Sequence, residues 1–158
     1  MAIEKVKSYF SGLGIAERIR EFDVSSATVE LAAAALGCPA ERIAKTLSFM
    51  VGENAVLIVT AGDAKIDNSK FKAQFHTKAK MLAFDEVEPL TGHAVGGVCP
   101  FAVKPGTEIY LDESLRRFET VFPACGSSNS AIELTLGELE QYSNALSWID
   151  VCKGWQEN

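Results

Sequence analysis

The sequence is poor in the groups that announce familiar chemistries. Its four cysteines, Cys38, Cys99, Cys125 and Cys152, are scattered and form no C-x-x-C pair. That spacing fits neither a zinc site nor a disulfide framework. Two histidines, His76 and His93, are too few for a His-rich metal centre, and no Ser/His/Asp pattern accompanies them. Neither a metal nor a cofactor is therefore expected. No run approaches the ~18 consecutive apolar residues that mark a membrane span. The opening stretch, Met1 to Phe10, mixes apolar with charged residues and does not read as a secretory leader. Internal repeats, linkers and low-complexity segments are also missing. These absences predict a reduced, cytoplasmic chain without a membrane partner.

What remains is an ordinary globular composition. The 158 residues are 47% hydrophobic and 23% charged, which predicts one domain, residues 1–158, large enough to bury a real core. The net charge of −6 is unevenly spread. Residues 63–80 carry Lys65, Lys70, Lys72, Lys78 and Lys80 against Asp63 and Asp67, a local +3 that leaves −9 on the remainder. Such a patch can meet a polyanion through phosphate contacts. The same lysines also fit a solvated helix face.

Periodicity predicts alternating short helices and strands. Ile3, Val6 and Phe10 form a helical stripe that Gly12 and Gly14 stop. Arg18 to Asp23 reads as a first strand. Thr28 reads as an N-cap, with Leu31 and Leu36 facing inward and Gly37 closing the helix. Ile43–Val51 and Ala55–Thr60 read as a hairpin turned at Gly52-Glu53-Asn54, the second strand apolar throughout. Asp67 or Asn68 caps a helix burying Phe71 and Phe75. Lys80 to Ala83 reads as strand, and Asp85 to Glu88 as a capping box opening a helix that Gly92 ends. Strands at Glu108–Leu111, Phe118–Ala124, Ala131–Leu134 and Ser147–Cys152 follow, with a second capping box at Thr135–Glu138. The class is α+β (mixed α/β), with about seven or more short strands.

Two features stand out from this pattern. Lys45 is the polar member of the row Ile43, Lys45, Leu47, Phe49 and Val51. Either it snorkels to water at a strand end, or a desolvated ammonium points into a pocket to bind an anionic or carbonyl oxygen. The stretch Gly92-His93-Ala94-Val95-Gly96-Gly97-Val98-Cys99-Pro100-Phe101 holds three glycines and a proline without one formal charge. Gly96 and Gly97 can offer bare N–H groups to a ligand oxygen, as oxyanion holes do, or can mark a bulge or tight corner.

The order of these pieces is informative. Ile43-Ala44-Lys45-Thr46-Leu47 is followed by Ala61-Gly62-Asp63, then by Gly96 to Pro100, then by Ile109 to Asp112 and by Gly126 ahead of Ile132 to Leu134. From about Thr28 onward the chain resembles the YbaK family, the editing domains associated with prolyl-tRNA synthetase. Lys45 and the G-x-x-x-P loop, Gly96 to Pro100, carry the resemblance most sharply. Cys99 stands where a small residue, often Ser, is usual, and Ser127-Ser128-Asn129 is more polar than the corresponding family segment.

The resemblance implies a single compact domain, a mixed curved or barrel-like sheet of about seven strands surrounded by short helices. It implies a hydrolase, a trans-editing aminoacyl-tRNA deacylase that cleaves the ester of a small mischarged amino acid, on a tRNA-Pro-type substrate. Lys45, Gly96 and Gly97 take the catalytic positions. Thr46, His93, Val98, Cys99, Pro100, Phe101, Gly126, Ser127, Ser128 and Asn129 take the substrate-binding ones. Lys65, Lys70, Lys72, Lys78 and Lys80 are the candidate RNA contacts. The expected partner is the acceptor end of aminoacyl-tRNA, with a synthetase as a further candidate and no DNA. The competing expectation is a non-catalytic module that binds aminoacyl-adenylate-like or nucleotide ligands in the same pocket.

Overall fold

A computed structural model describes residues 2–155. The first helix, α1 (Ala2–Gly12), buries the expected stripe of Ile3, Val6 and Phe10. Helix α2 (Val29–Leu36) starts at Thr28, whose hydroxyl accepts from the Leu31 N–H at 3.1 Å, and ends at Gly37 in the left-handed region. Its inward residue is Ala32, however, and Leu31 is 45% exposed. With only eight residues, α2 rests a narrow stripe on the sheet, and Leu31 lies outside that stripe.

Strands β2 (Ile43–Val51) and β3 (Asn54–Ala61), which follow a two-residue strand β1 (Arg20–Glu21), pair as an antiparallel hairpin. Gly52 takes the first turn position at φ +62°, while Glu53 stays out of the positive-φ region. That matches a II′ turn, whose twist suits the strands it joins. In β3 every residue from Ala55 to Ala61 is buried, as its position between β2 and the parallel β5 (Glu108–Asp112) requires.

The six-stranded sheet runs β8-β6-β2-β3-β5-β9, with β6 at Thr120–Pro123, β8 at Leu134–Thr135 and β9 at Ser147–Ile149. Two short ribbons flank it: β1 with β7 (Ser130–Ala131), and β4 (Lys65–Ile66) with β10 (Cys152–Lys153). This is the expected α+β class, with the expected strands at residues 131–134 and 147–152 each broken in two. The first expected strand shrinks to β1, and Arg18, its expected first residue, ends a 3-10 turn over Ala16–Arg18.

Helix α3 (Asn68–Phe75) is capped by Asp67, whose carboxylate accepts the Ser69 and Lys70 N–H groups, and it buries Phe71. Lys80 to Ala83 makes only a single bridge, Met81 opposite Phe49. Helix α4 (Phe84–Thr91) begins two residues earlier than the sequence suggests. Glu86, not Glu88, reaches back, accepting the Ala83 N–H at 2.8 Å. The Thr135 capping box of α5 (Leu136–Ser143) forms as expected.

Candidate active site

A cavity of about 510 Å³ opens between the strand β2, the segment leading into α2, the start of α4 and the glycine stretch. Its lining is mainly apolar, from Val29, Leu47, Val87, Val98 and Phe122 among others, with hydroxyls from Ser26, Thr28, Ser48 and Ser130. Among the described residues that line it, Lys45 is the one charged side chain.

Lys45 is half-buried and does not snorkel freely to water. Its Nζ donates to the Ala64 carbonyl at 2.5 Å and to the Gly62 carbonyl at 3.4 Å. An ammonium carries three N–H bonds, so these two leave one for a ligand. Burial pulls the Lys45 pKa below the ordinary lysine value, with Asp63 and Glu30 opposing and Lys65 adding to the shift.

The loop that holds this ammonium is itself braced. Asp63 receives a bidentate pair from Arg117, at 2.5 and 2.9 Å, and the arrangement holds its carboxyl below the usual carboxylate range. Gly62 lies so close to the Ala40 backbone that a Cβ would sit 2.0 Å from its carbonyl oxygen. Thr46, next to Lys45, also lines the cavity, and its hydroxyl is buried without a partner among the described residues.

The glycine stretch divides into three roles. Gly96, at φ +92°, and Val98 line the cavity. The Gly96 N–H has no acceptor among the described residues. Gly97 does not line the cavity; its N–H donates to the Ala94 carbonyl at 3.0 Å. A Cβ on Gly97 would lie 2.8 Å from the Ser127 N and Cα atoms, so this glycine permits two backbones to touch. His93, Cys99 and Phe101 face the core behind the loop. His93 Nε2 meets the Phe101 carbonyl at 2.7 Å and Cys99 Sγ at 3.5 Å, while the Phe101 ring packs edge-on to Phe10 at 4.9 Å. Burial pushes the Cys99 thiol up to about 12, which removes it as a nucleophile near neutral pH. Pro100 is buried outside the lining.

Gly126, Ser127, Ser128 and Asn129 likewise stand behind the wall, not in it. The Ser128 carbonyl accepts the Ser26 N–H at 2.6 Å, and Asn129 exchanges bonds with Phe22 at 2.8 and 2.9 Å. Through these bonds they hold the Ser26–Val29 wall in place. Of the five lysines, Lys70 is committed to Asp150 and to the Cys152 carbonyl, both at 3.0 Å. Lys65, Lys72, Lys78 and Lys80 are exposed. Lys78 and Lys80 lead into Met81, at the cavity rim.

Several lining residues carry no sequence signal that marks them as such. Ser48 and Phe122 alternate with core residues on their strands and carry no signal of their own. Ser26 to Val29 resembles an ordinary cap. Phe84 lies between the strand expected at Lys80–Ala83 and the capping box expected at Asp85–Glu88, so neither pattern places it, and it is 81% exposed at the mouth.

The chain is 53% identical over 157 residues to the uncharacterised protein YwhH of Bacillus subtilis (strain 168), covering 99% of this chain and all of that one. It is 30% identical over 112 residues to a proline–tRNA ligase of Leuconostoc citreum (strain KM20), spanning 70% of this chain but only 19% of the ligase. A solved structure described as a candidate trans-editing enzyme for prolyl-tRNA synthetase superposes with a TM-score of 0.86 at 27% identity, over 97% of this chain and 98% of that one. Residues 23–142 match the aminoacyl-tRNA editing domain as a family. The chain belongs to the aminoacyl-tRNA editing domain family.

Proposed function

We propose that the chain is a trans-editing deacylase, hydrolysing the ester that joins a small mischarged amino acid to the terminal ribose of a tRNA-Pro-type substrate. The observation that carries this reading is the Lys45 ammonium. It is held by two carbonyls, its third N–H has no partner among the described residues, and it stands on the wall of a mainly apolar cavity. Family membership and the likeness to a proline–tRNA ligase and to a candidate trans-editing enzyme support it.

In this mechanism the aminoacyl group and terminal ribose enter the cavity, and Lys45 donates to an ester or ribose oxygen. Water, oriented by the neighbouring ribose hydroxyl, attacks the carbonyl carbon and gives up a proton to solvent. The carbonyl oxygen takes up negative charge, the C–O bond to the ribose breaks, and the leaving oxygen takes a proton. An aminoacyl ester is activated, so the protein supplies position and charge stabilisation without a side-chain nucleophile, one donor being worth ~3 kcal/mol. The Gly96 N–H is the backbone group available for the same task.

Single-turnover hydrolysis with a panel of mischarged tRNAs tests the proposal. At least one small aminoacyl-tRNA is deacylated, and Lys45→Ala lowers that rate by about 100-fold or more while circular dichroism stays unchanged. A folded Lys45→Ala protein with the wild-type rate would end this assignment. Stoichiometric binding without turnover would favour a non-catalytic module.

A further inference from the structure

The mouth of the cavity carries apolar surface that the fold does not use. Phe84, the first residue of α4, is 81% exposed, Met81 is 56% exposed and Val95 is 48% exposed, and all three line the cavity. The chain has nine phenylalanines, and the other eight are buried or half-buried. An exposed ring contributes little to stability, because it removes almost no apolar area from water. Nor does the helix start depend on it, since Glu86 bonds back to the Ala83 N–H. Phe84 is thus an aromatic face held out over the entrance by a fixed helix end.

Its surroundings identify an occupant. Exposed Lys78 and Lys80 lie just before Met81. The Lys80 carbonyl accepts the Met50 N–H at 2.8 Å, and the Leu82 N–H donates to the Ser48 carbonyl at 3.1 Å. This rim is therefore pinned to β2, the strand that bears Lys45. Ammonium groups beside an exposed aromatic form the combination that binds unpaired nucleotides, cations on the phosphates and a ring under the base.

We infer that Phe84 is the stacking platform for the base of the substrate's unpaired 3′-terminal nucleoside, with Lys78 and Lys80 on the adjoining phosphates. The inference rests on the aminoacyl-tRNA reading and deepens it. It explains how a cavity with one charged side chain holds the reacting ester in place: the base is seated outside, and its ribose hangs into the pocket toward Lys45.

A double-mutant cycle tests this by binding alone. The probe is an uncharged acceptor-stem RNA hairpin with a single-stranded 3′ end, whose terminal nucleotide is either intact or abasic, and affinity is read by fluorescence anisotropy. Removing the base weakens wild-type binding by about tenfold or more. Phe84→Ala weakens binding of the intact hairpin by a similar factor and does not distinguish the two hairpins, whereas Phe84→Trp retains the discrimination. Equal wild-type affinity for the two hairpins, no measurable binding, or the same loss on both with Phe84→Ala would overturn the inference. Base-dependent binding through Phe84 without hydrolysis of any charged tRNA would instead defeat only the deacylase reading.

Discussion

The two walls of the cavity both owe their shape to glycine, yet they use it differently. On the Lys45 wall, Gly62 allows the loop after β3 to press on the Ala40 backbone, and the loop carbonyls then hold a charged side chain at the cavity. Behind the wall formed by the glycine stretch, Gly97 spends its N–H on Ala94 and its missing Cβ on contact with Ser127. Only Gly96 faces the cavity, in a backbone conformation that other residues rarely adopt. One wall positions a donor from outside the glycine motif. The other is mostly packing, with one backbone donor at its edge. A glycine-rich loop is therefore not by itself an oxyanion hole; each N–H has to be followed to its acceptor.

The sharpest way to break this contrast is at Gly62. A Cβ there meets a backbone oxygen at 2.0 Å, which no side-chain rotation relieves. Overpacking of this kind costs about 3 kcal/mol, which in a chain of this size lowers Tm by about 10 °C. Because the same loop supplies both carbonyls that hold Lys45, Gly62→Ala also loses activity per folded molecule. A variant with wild-type Tm and rate would show that this loop does not position the ammonium.

Gly97→Ala separates the two effects that Gly62→Ala combines. Its Cβ presses on Ser127 at 2.8 Å, so Tm falls by several degrees, on the scale of about 1–3 kcal/mol. The rate per folded molecule stays within a few-fold of wild type, since the N–H at this position is already engaged. Gly96→Ala has room, with Ala27 and Ser128 carbons at 3.7 Å, but carries a backbone cost of about 1–3 kcal/mol for φ near +92°. A 100-fold rate loss in Gly97→Ala with Tm unchanged would return the catalytic donor to Gly97 and make the walls alike.

The sequence revealed the fold more fully than the site, for a physical reason. Helix stripes, caps and the hairpin are set by neighbours a few residues away, so Val6, Thr28, Gly52 and Thr135 were legible. Lys45 stood out as a cation in an apolar row, but the row alone left snorkelling open, and only the family resemblance marked it as a site residue. The destination of the Gly97 N–H, the inward turn of His93 and Phe101, and the Lys70–Asp150 pair all depend on segments that only the fold brings together. Phe84 was equally out of reach: the capping box expected at Asp85–Glu88 starts the helix after it, whereas it is the first residue of α4 and stands exposed.

The smallest expected effect distinguishes the walls by titration. Among the described residues that line the cavity, Lys45 is the one charged side chain, and burial sets its folded pKa below the ordinary value of 10.5. If the ammonium is the active form, the enzymatic rate relative to the spontaneous rate falls as pH rises through that lowered pKa. Stability moves the other way. Between the folded pKa and 10.5 the unfolded chain binds more protons at this lysine than the folded one, so the stability contributed by Lys45 increases with pH. Wild-type Tm should therefore rise relative to that of Lys45→Met across the alkaline range, while the Gly96→Ala difference stays flat. A constant wild-type minus Lys45→Met difference would mean that Lys45 keeps an ordinary pKa and is solvated. Its wall would then be as electrostatically plain as the glycine one.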